Sequence, residues 1–164
     1  CIMAHCVHCT DHEIDAMRQN GVFVAHCPQS NTNLASGIAP VRRYLKDGLR
    51  IGLGTDVAGG AHLSVFRALT DAVAVSKLRW RLADQSLTPL TFAEAFFLAT
   101  RGGGAFFGKV GAFEPGYAFD ALVLDDEALP APRPMTVRET LERGAYQLED
   151  RAVVHKYVEG CQLF

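Results

Sequence analysis

Arg50-Ile51-Gly52-Leu53-Gly54-Thr55-Asp56-Val57-Ala58-Gly59-Gly60 decides how the rest of the chain is read. Leu49 to Leu53 is a short apolar run punctuated by glycine. Asp56 stands just beyond it, two glycines follow, and a long segment from Leu63 to Trp80 is periodic in apolar residues. The pattern predicts strand, tight turn and helix. An acid just past a parallel strand occupies the end where α/β sheets and barrels keep their chemistry. An isolated strand-end Asp also serves as a helix N-cap or turn former, and the residues alone leave both roles open. Phosphate loops are excluded by spacing. A dinucleotide fingerprint fits Gly52 and Gly54 but needs glycine where Val57 stands. A Walker loop fits Gly54 and Gly59 but needs Lys where Gly60 stands.

Upstream, the same rhythm occurs twice. Ile2 to His5 reads as the end of a strand, and Val22 to His26 as another, closed by Cys27-Pro28. Thr10 and Glu13 form a capping box that opens a helix from about Asp11 to Asn20, with Gly21 as its stop. Gln29 to Ser36 is polar and reads as a loop, its amides available to a pocket. Ile38, Val41 and Leu45 mark a short amphipathic helix with Pro40 in its first turn. Three strands alternating with helices are the rhythm of a parallel sheet or barrel. His5, His26 and Asp56 all fall at the same end of their strands, a coincidence that active-site residues explain better than independent structural ones.

Cys6 and Cys9 form a C-x-x-C, but the second pair that a zinc ribbon needs is missing, since Cys27 and Cys161 stand alone. His12 is followed by Glu13 without the second histidine of H-E-x-x-H, and it reads as a solvated helix residue. After Trp80, Thr91 and Glu94 open another helix to about Thr100, ended by Gly102-Gly103-Gly104. Phe119 to Asp125 reads as a strand, Glu127 to Pro134 as a proline-rich loop, and Val153 to Val158 as a strand that turns at Glu159-Gly160 into Cys161 to Phe164. This tail is expected to be a small β module.

Composition narrows the partners. The 164 residues are 49% hydrophobic and 21% charged, an ordinary globular balance. A formal net charge of −2 gives no electrostatic case for nucleic acid or an anionic membrane surface. No apolar run approaches the ~20 residues of a membrane span. Five cysteines, an odd count, fit reduced thiols in a cytoplasmic protein. The opening residues lack a signal-peptide pattern, and a first residue other than Met suggests a segment of a longer chain.

The run Gly52 to Gly60, with Ser64 to Lys77 after it, closely resembles the guanine-deaminating branch of the amidohydrolase superfamily. Met3-Ala4-His5-Cys6 resembles that family's sixth-strand segment, and Ala25-His26-Cys27-Pro28-Gln29-Ser30-Asn31 its seventh. Gly111-Ala112-Phe113-Glu114-Pro115-Gly116, through Asp120 and Asp125, resembles the return into an accessory β-sandwich. The resemblance implies an α/β fold: the last three units of a distorted (β/α)₈ barrel over 1–110, and part of the sandwich over 111–164. It implies a zinc-dependent aminohydrolase converting guanine to xanthine and ammonia, a homodimer when intact. Asp56 would bind zinc and take a proton from the attacking water. His5 would orient that water, and both would face the purine. The family's first-strand His-x-His pair, fifth-strand His and fifth-strand Glu have no counterpart here, so the 164 residues alone are expected to be inactive. The same resemblance leaves room for a triazine, pterin or nucleoside substrate. A truncated module that binds a partner through an open sheet edge is the non-enzymatic alternative.

Overall fold

The computed structural model describes every residue except Ala128. It contains two three-stranded sheets of different character. The first is parallel, in the order β1 (Ile2–Ala4), β2 (Phe23–His26), β3 (Arg50–Leu53), with Ile2 opposite Phe23 and Phe23 opposite Arg50. The second is antiparallel, in the order β4 (Ala121–Leu124), β5 (Val153–Val158), β6 (Cys161–Gln162). The α/β class read from the sequence is therefore correct. Residues Glu159 and Gly160, both at positive φ (50° and 80°), make the tight turn between β5 and β6.

Helix α1 (Asp11–Gln19) begins on the Thr10–Glu13 capping box and buries Ile14 and Met17 beneath the parallel sheet's core. Helix α3 (Val41–Lys46) starts one residue after Pro40, so Ile38 lies outside it. Its principal buried residue is Tyr44, fully enclosed, whose hydroxyl donates to the Cys6 carbonyl at 2.5 Å. The long helix α4 (Val65–Leu82) starts and ends two residues later than the apolar pattern suggested. It buries Ala68, Leu69, Ala72 and Val73 against its neighbours.

Three expectations need correcting. Gln29 to Ser36 is not a plain loop, since α2 (Pro28–Asn33) occupies most of it. Pro28 sits at the first helical position, where its fixed φ suits a helix and its missing N–H costs nothing. The glycine triplet does not end the helix begun by α5 (Phe92–Phe97). A π-helical turn over Leu98–Gly102 carries it on, and Gly103 and Gly104 remain helical. The physical reason is close approach: a Cβ on Gly52 of β3 would lie 2.8 Å from the Gly103 Cα. Finally, the tail is not only strands and loops, because α6 (Val137–Gln147) packs beside α4 with Ala145 buried between them. The expected loop over 127–134 includes Ala128, which lies outside the described residues.

Among the described residues β1 hydrogen-bonds to a strand on one side only, and its Ile2 and Met3 are nearly half exposed, at 46% and 48%. No helix is long and apolar enough to cross a membrane among the described residues.

Candidate active site

Parallel strands deliver their C-terminal ends to one edge of a sheet, so residues just beyond β1, β2 and β3 become neighbours. His5 follows β1 and Asp56 lies three residues past β3. Both are at positive φ, 66° and 49°, in a left-handed region that side chains other than Gly seldom occupy. Cys6 shares this state at 47°. Such conformations persist where surrounding contacts over-determine them, and they gather at functional sites.

The structure brings His5 and Asp56 together across the sheet. His5 Nε2 lies 3.6 Å from Asp56 Oδ2, and the side chains are 40% and 42% exposed. Each is held from behind. Ser30 Oγ donates to Asp56 Oδ2 at 2.6 Å, and Asn31 Oδ1 accepts from His5 Nδ1 at 2.8 Å. With Asn31 Oδ1 facing it, Nδ1 is the nitrogen of His5 engaged from behind, and Nε2 is the one that faces Asp56. Asn33 Nδ2 donates to the Gly59 carbonyl at 3.0 Å and Gln29 Oε1 accepts from the Ala61 amide at 2.7 Å, which ties down the loop after Asp56.

His26, the third strand-end residue, behaves differently. It is 1% exposed, and neither ring nitrogen has a hydrogen-bond partner among the described residues. Burial, and secondarily the charge of His5, push its pKa down from 6.5 to about 4. It is therefore a neutral, interior histidine rather than a group presented to a ligand.

Ser30 engages Asp56 Oδ2, and no hydrogen bond to Asp56 Oδ1 occurs among the described residues. No group of three His, Cys, Asp or Glu side chains in the described residues is arranged to hold a metal. The five cysteines are free thiols, and burial, with Cys9 as its next cause, raises the Cys6 pKa to about 12, so Cys6 stays protonated. A surface recess of about 570 Å³ between α3 and α5 lies elsewhere, and its Arg42 and Glu94 are already paired at 2.6 Å.

The sequence names His5 and Asp56 as candidates, and the structure brings the two together, but in the sequence Ser30 and Asn31 read only as polar loop residues. The signal that could have exposed them was Pro28, which marks a helix start directly after β2 and so turns two consecutive residues toward the two flanking strand ends.

Relatives of this chain are known by sequence and by fold. The family model described as "Amidohydrolase family" matches residues 1–162. Guanine deaminase from Dictyostelium discoideum is 35% identical over 99% of this chain and 37% of its own length. Among solved structures, guanine deaminase from C. acetobutylicum with guanine bound in its active site superposes with a TM-score of 0.95 at 44% identity, covering 99% of this chain and 39% of that one. An adenosine deaminase from Xanthomonas campestris with bound zinc gives a TM-score of 0.80 at 27% identity, covering 98% of this chain and 36% of that one. The chain thus spans less than two fifths of the length of these relatives.

Proposed function

Since this chain belongs to the amidohydrolase family, we propose that it is part of a guanine deaminase, hydrolysing guanine to xanthine and ammonia. The observation that carries this reading is the His5–Asp56 pair at adjacent strand ends, held by Ser30 and Asn31, in a chain whose higher-identity structural relative binds guanine. The adenosine deaminase relative keeps a nucleoside substrate as the second reading, at lower identity and lower TM-score.

In this reading residues 1–110 supply three units of a distorted (β/α)₈ barrel and residues 111–164 contribute to an accessory β-sandwich. Further barrel strands would cover the open edge of β1, where Ile2 and Met3 are otherwise exposed. Asp56 would be one residue holding zinc, with Ser30 engaging one of its carboxylate oxygens. Zinc, when bound, would bring the pKa of a water near neutrality and so supply the nucleophile. Asp56 Oδ2, a short step from His5 Nε2, takes up the proton that the water loses. His5 Nε2 accepts a hydrogen bond from the incoming water and orients it toward the carbon bearing the exocyclic amine. The water oxygen bonds to that carbon while the C=N electron pair moves onto the ring nitrogen. The pair returns as the C–N bond to the amine breaks, the proton taken up by Asp56 leaving on the ammonia and the remaining hydroxyl proton passing to the ring nitrogen. The remaining ligands and the contacts to the purine edge lie outside this chain.

The test is Asp56→Asn in the intact protein. It keeps size and removes both the negative charge and the basicity. Guanine turnover should fall by a factor of about 10² or more. Ammonia release at the unmutated rate would overturn the assignment.

A further inference from the structure

Helix α2 is the only described element that begins at the end of the central strand, with β1 on one side of it and β3 on the other. From that position successive residues of its first turns point toward different neighbours, because each helical residue is rotated about 100° from the last. Ser30 reaches the β3 side and meets Asp56. Asn31 reaches the β1 side and meets His5. We propose that Ser30 and Asn31 form a two-armed clamp, Ser30 selecting which oxygen of Asp56 is left for the metal and Asn31 fixing which nitrogen of His5 carries its proton. The proposal deepens the zinc-hydrolase reading above and rests on it.

Both holders are buried, Ser30 at 0% and Asn31 at 2% exposed, while the groups they hold are open to solvent. A buried Ser or Asn in a helix ordinarily satisfies itself on nearby backbone, as Thr32 does with the Pro28 carbonyl at 2.9 Å. Ser30 and Asn31 instead bond across the sheet to residues 26 positions away in sequence. Asn31 does so while its Nδ2 stays buried without a partner among the described residues, a costly arrangement if the contact were only filling space. Room for the Ser30 arm comes from Gly59: a Cβ there would lie 2.6 Å from Ser30 Oγ and 2.9 Å from Asp56 Oδ2. Hydrogen bonds that orient a ligating carboxylate or a working histidine set which atoms are presented.

Neither residue is catalytic in this scheme; both are positioning residues. The test uses the intact protein and three variants: Ser30→Ala, Asn31→Leu and Asn31→Asp. Zinc affinity, measured by competition with a chromophoric chelator, should weaken about 10- to 100-fold in Ser30→Ala. In zinc-free, ¹⁵N-histidine-labelled protein, the His5 ring-nitrogen shifts should report a protonated Nδ1. Asn31→Leu should convert them to a mixture of tautomers and lower kcat for guanine about tenfold or more, with KM changed less than about threefold. Asn31→Asp keeps an acceptor oxygen in nearly the same volume, so it should restore the Nδ1–H tautomer. Unchanged zinc affinity in Ser30→Ala, an unchanged His5 tautomer in Asn31→Leu, or Asn31→Asp behaving like Asn31→Leu would each overturn the clamp. The zinc and ring-nitrogen measurements need no turnover. If both come out as expected while guanine is not consumed, the substrate reading fails and the clamp stands.

Discussion

Between pH 6.5 and pH 5, acid should destabilise this protein chiefly through one residue, His26. The ring is 1% exposed and unpartnered, and its pKa is about 4 against 6.5 for a free histidine. Between those two values the unfolded chain binds a proton that the folded chain refuses. Stability is therefore full above pH 6.5 and falls as the pH drops toward 4, below which both states are protonated and the loss levels off. At about 1.4 kcal/mol per pH unit, the loss is roughly 2 kcal/mol by pH 5 and roughly 3 kcal/mol by pH 4. That is a large share of the ~5–15 kcal/mol that holds a typical domain. The perturbation is His26→Met, which fills similar space and cannot titrate. Urea unfolding at pH 7.5 and pH 5 gives four free energies. The unmutated protein should lose roughly 2 kcal/mol more between the two pH values than the variant does. Any pH-independent cost of the substitution cancels in that comparison. Equal losses would mean that the folded ring is protonated or paired after all, and the argument from burial would be wrong.

Two further outcomes follow from the packing and the thiols. Gly52→Ala should destabilise the protein by about 1–3 kcal/mol in urea melts, because its Cβ would press on the Gly103 backbone at 2.8 Å, and a neutral result would show that the helix can slide off β3. Replacing Cys6 and Cys9 together by Ser should leave the zinc content of the intact protein unchanged by elemental analysis, and a proportional loss of zinc would make them ligands.

What could be read in the sequence was whatever local periodicity or turn chemistry fixes. β1, β2 and β3 were visible as short apolar runs ending at His5, His26 and Asp56, and α1 as a capping box with an apolar face. What could not be read was whatever tertiary contact decides. α2 has no apolar stripe, since Gln29, Ser30, Asn31 and Asn33 are all polar, and their bonds to Ala61, Asp56, His5 and Gly59 hold it in place. The glycine triplet looked like a helix stop because propensity says so, yet the contact with Gly52 makes small residues necessary there and overrides the propensity. α6 is the miss with the fullest local signal, more complete than the lone Pro28 that opens α2. Thr136 and Glu139 form a full capping box, as Thr10 with Glu13 and Thr91 with Glu94 do.

The site shows the same division at finer grain. His5 and Asp56 were found because chemistry-bearing residues at strand ends share an edge, and topology alone guarantees that they meet. Topology does not say which atoms meet. His5 could have presented either nitrogen to Asp56, and Asp56 either oxygen to a cation. In the clamp proposed above those choices fall to Ser30 and Asn31, which lie 26 and 25 positions before Asp56 and reach their partners from a helix that Pro28 starts at the end of β2. His26 passed the same strand-end test as His5 and failed on a property that sequence position does not carry, namely the near-complete burial of its ring. Position along a strand thus nominates candidates, and the hydrogen bonds made or withheld around each ring and carboxylate decide which of them can act.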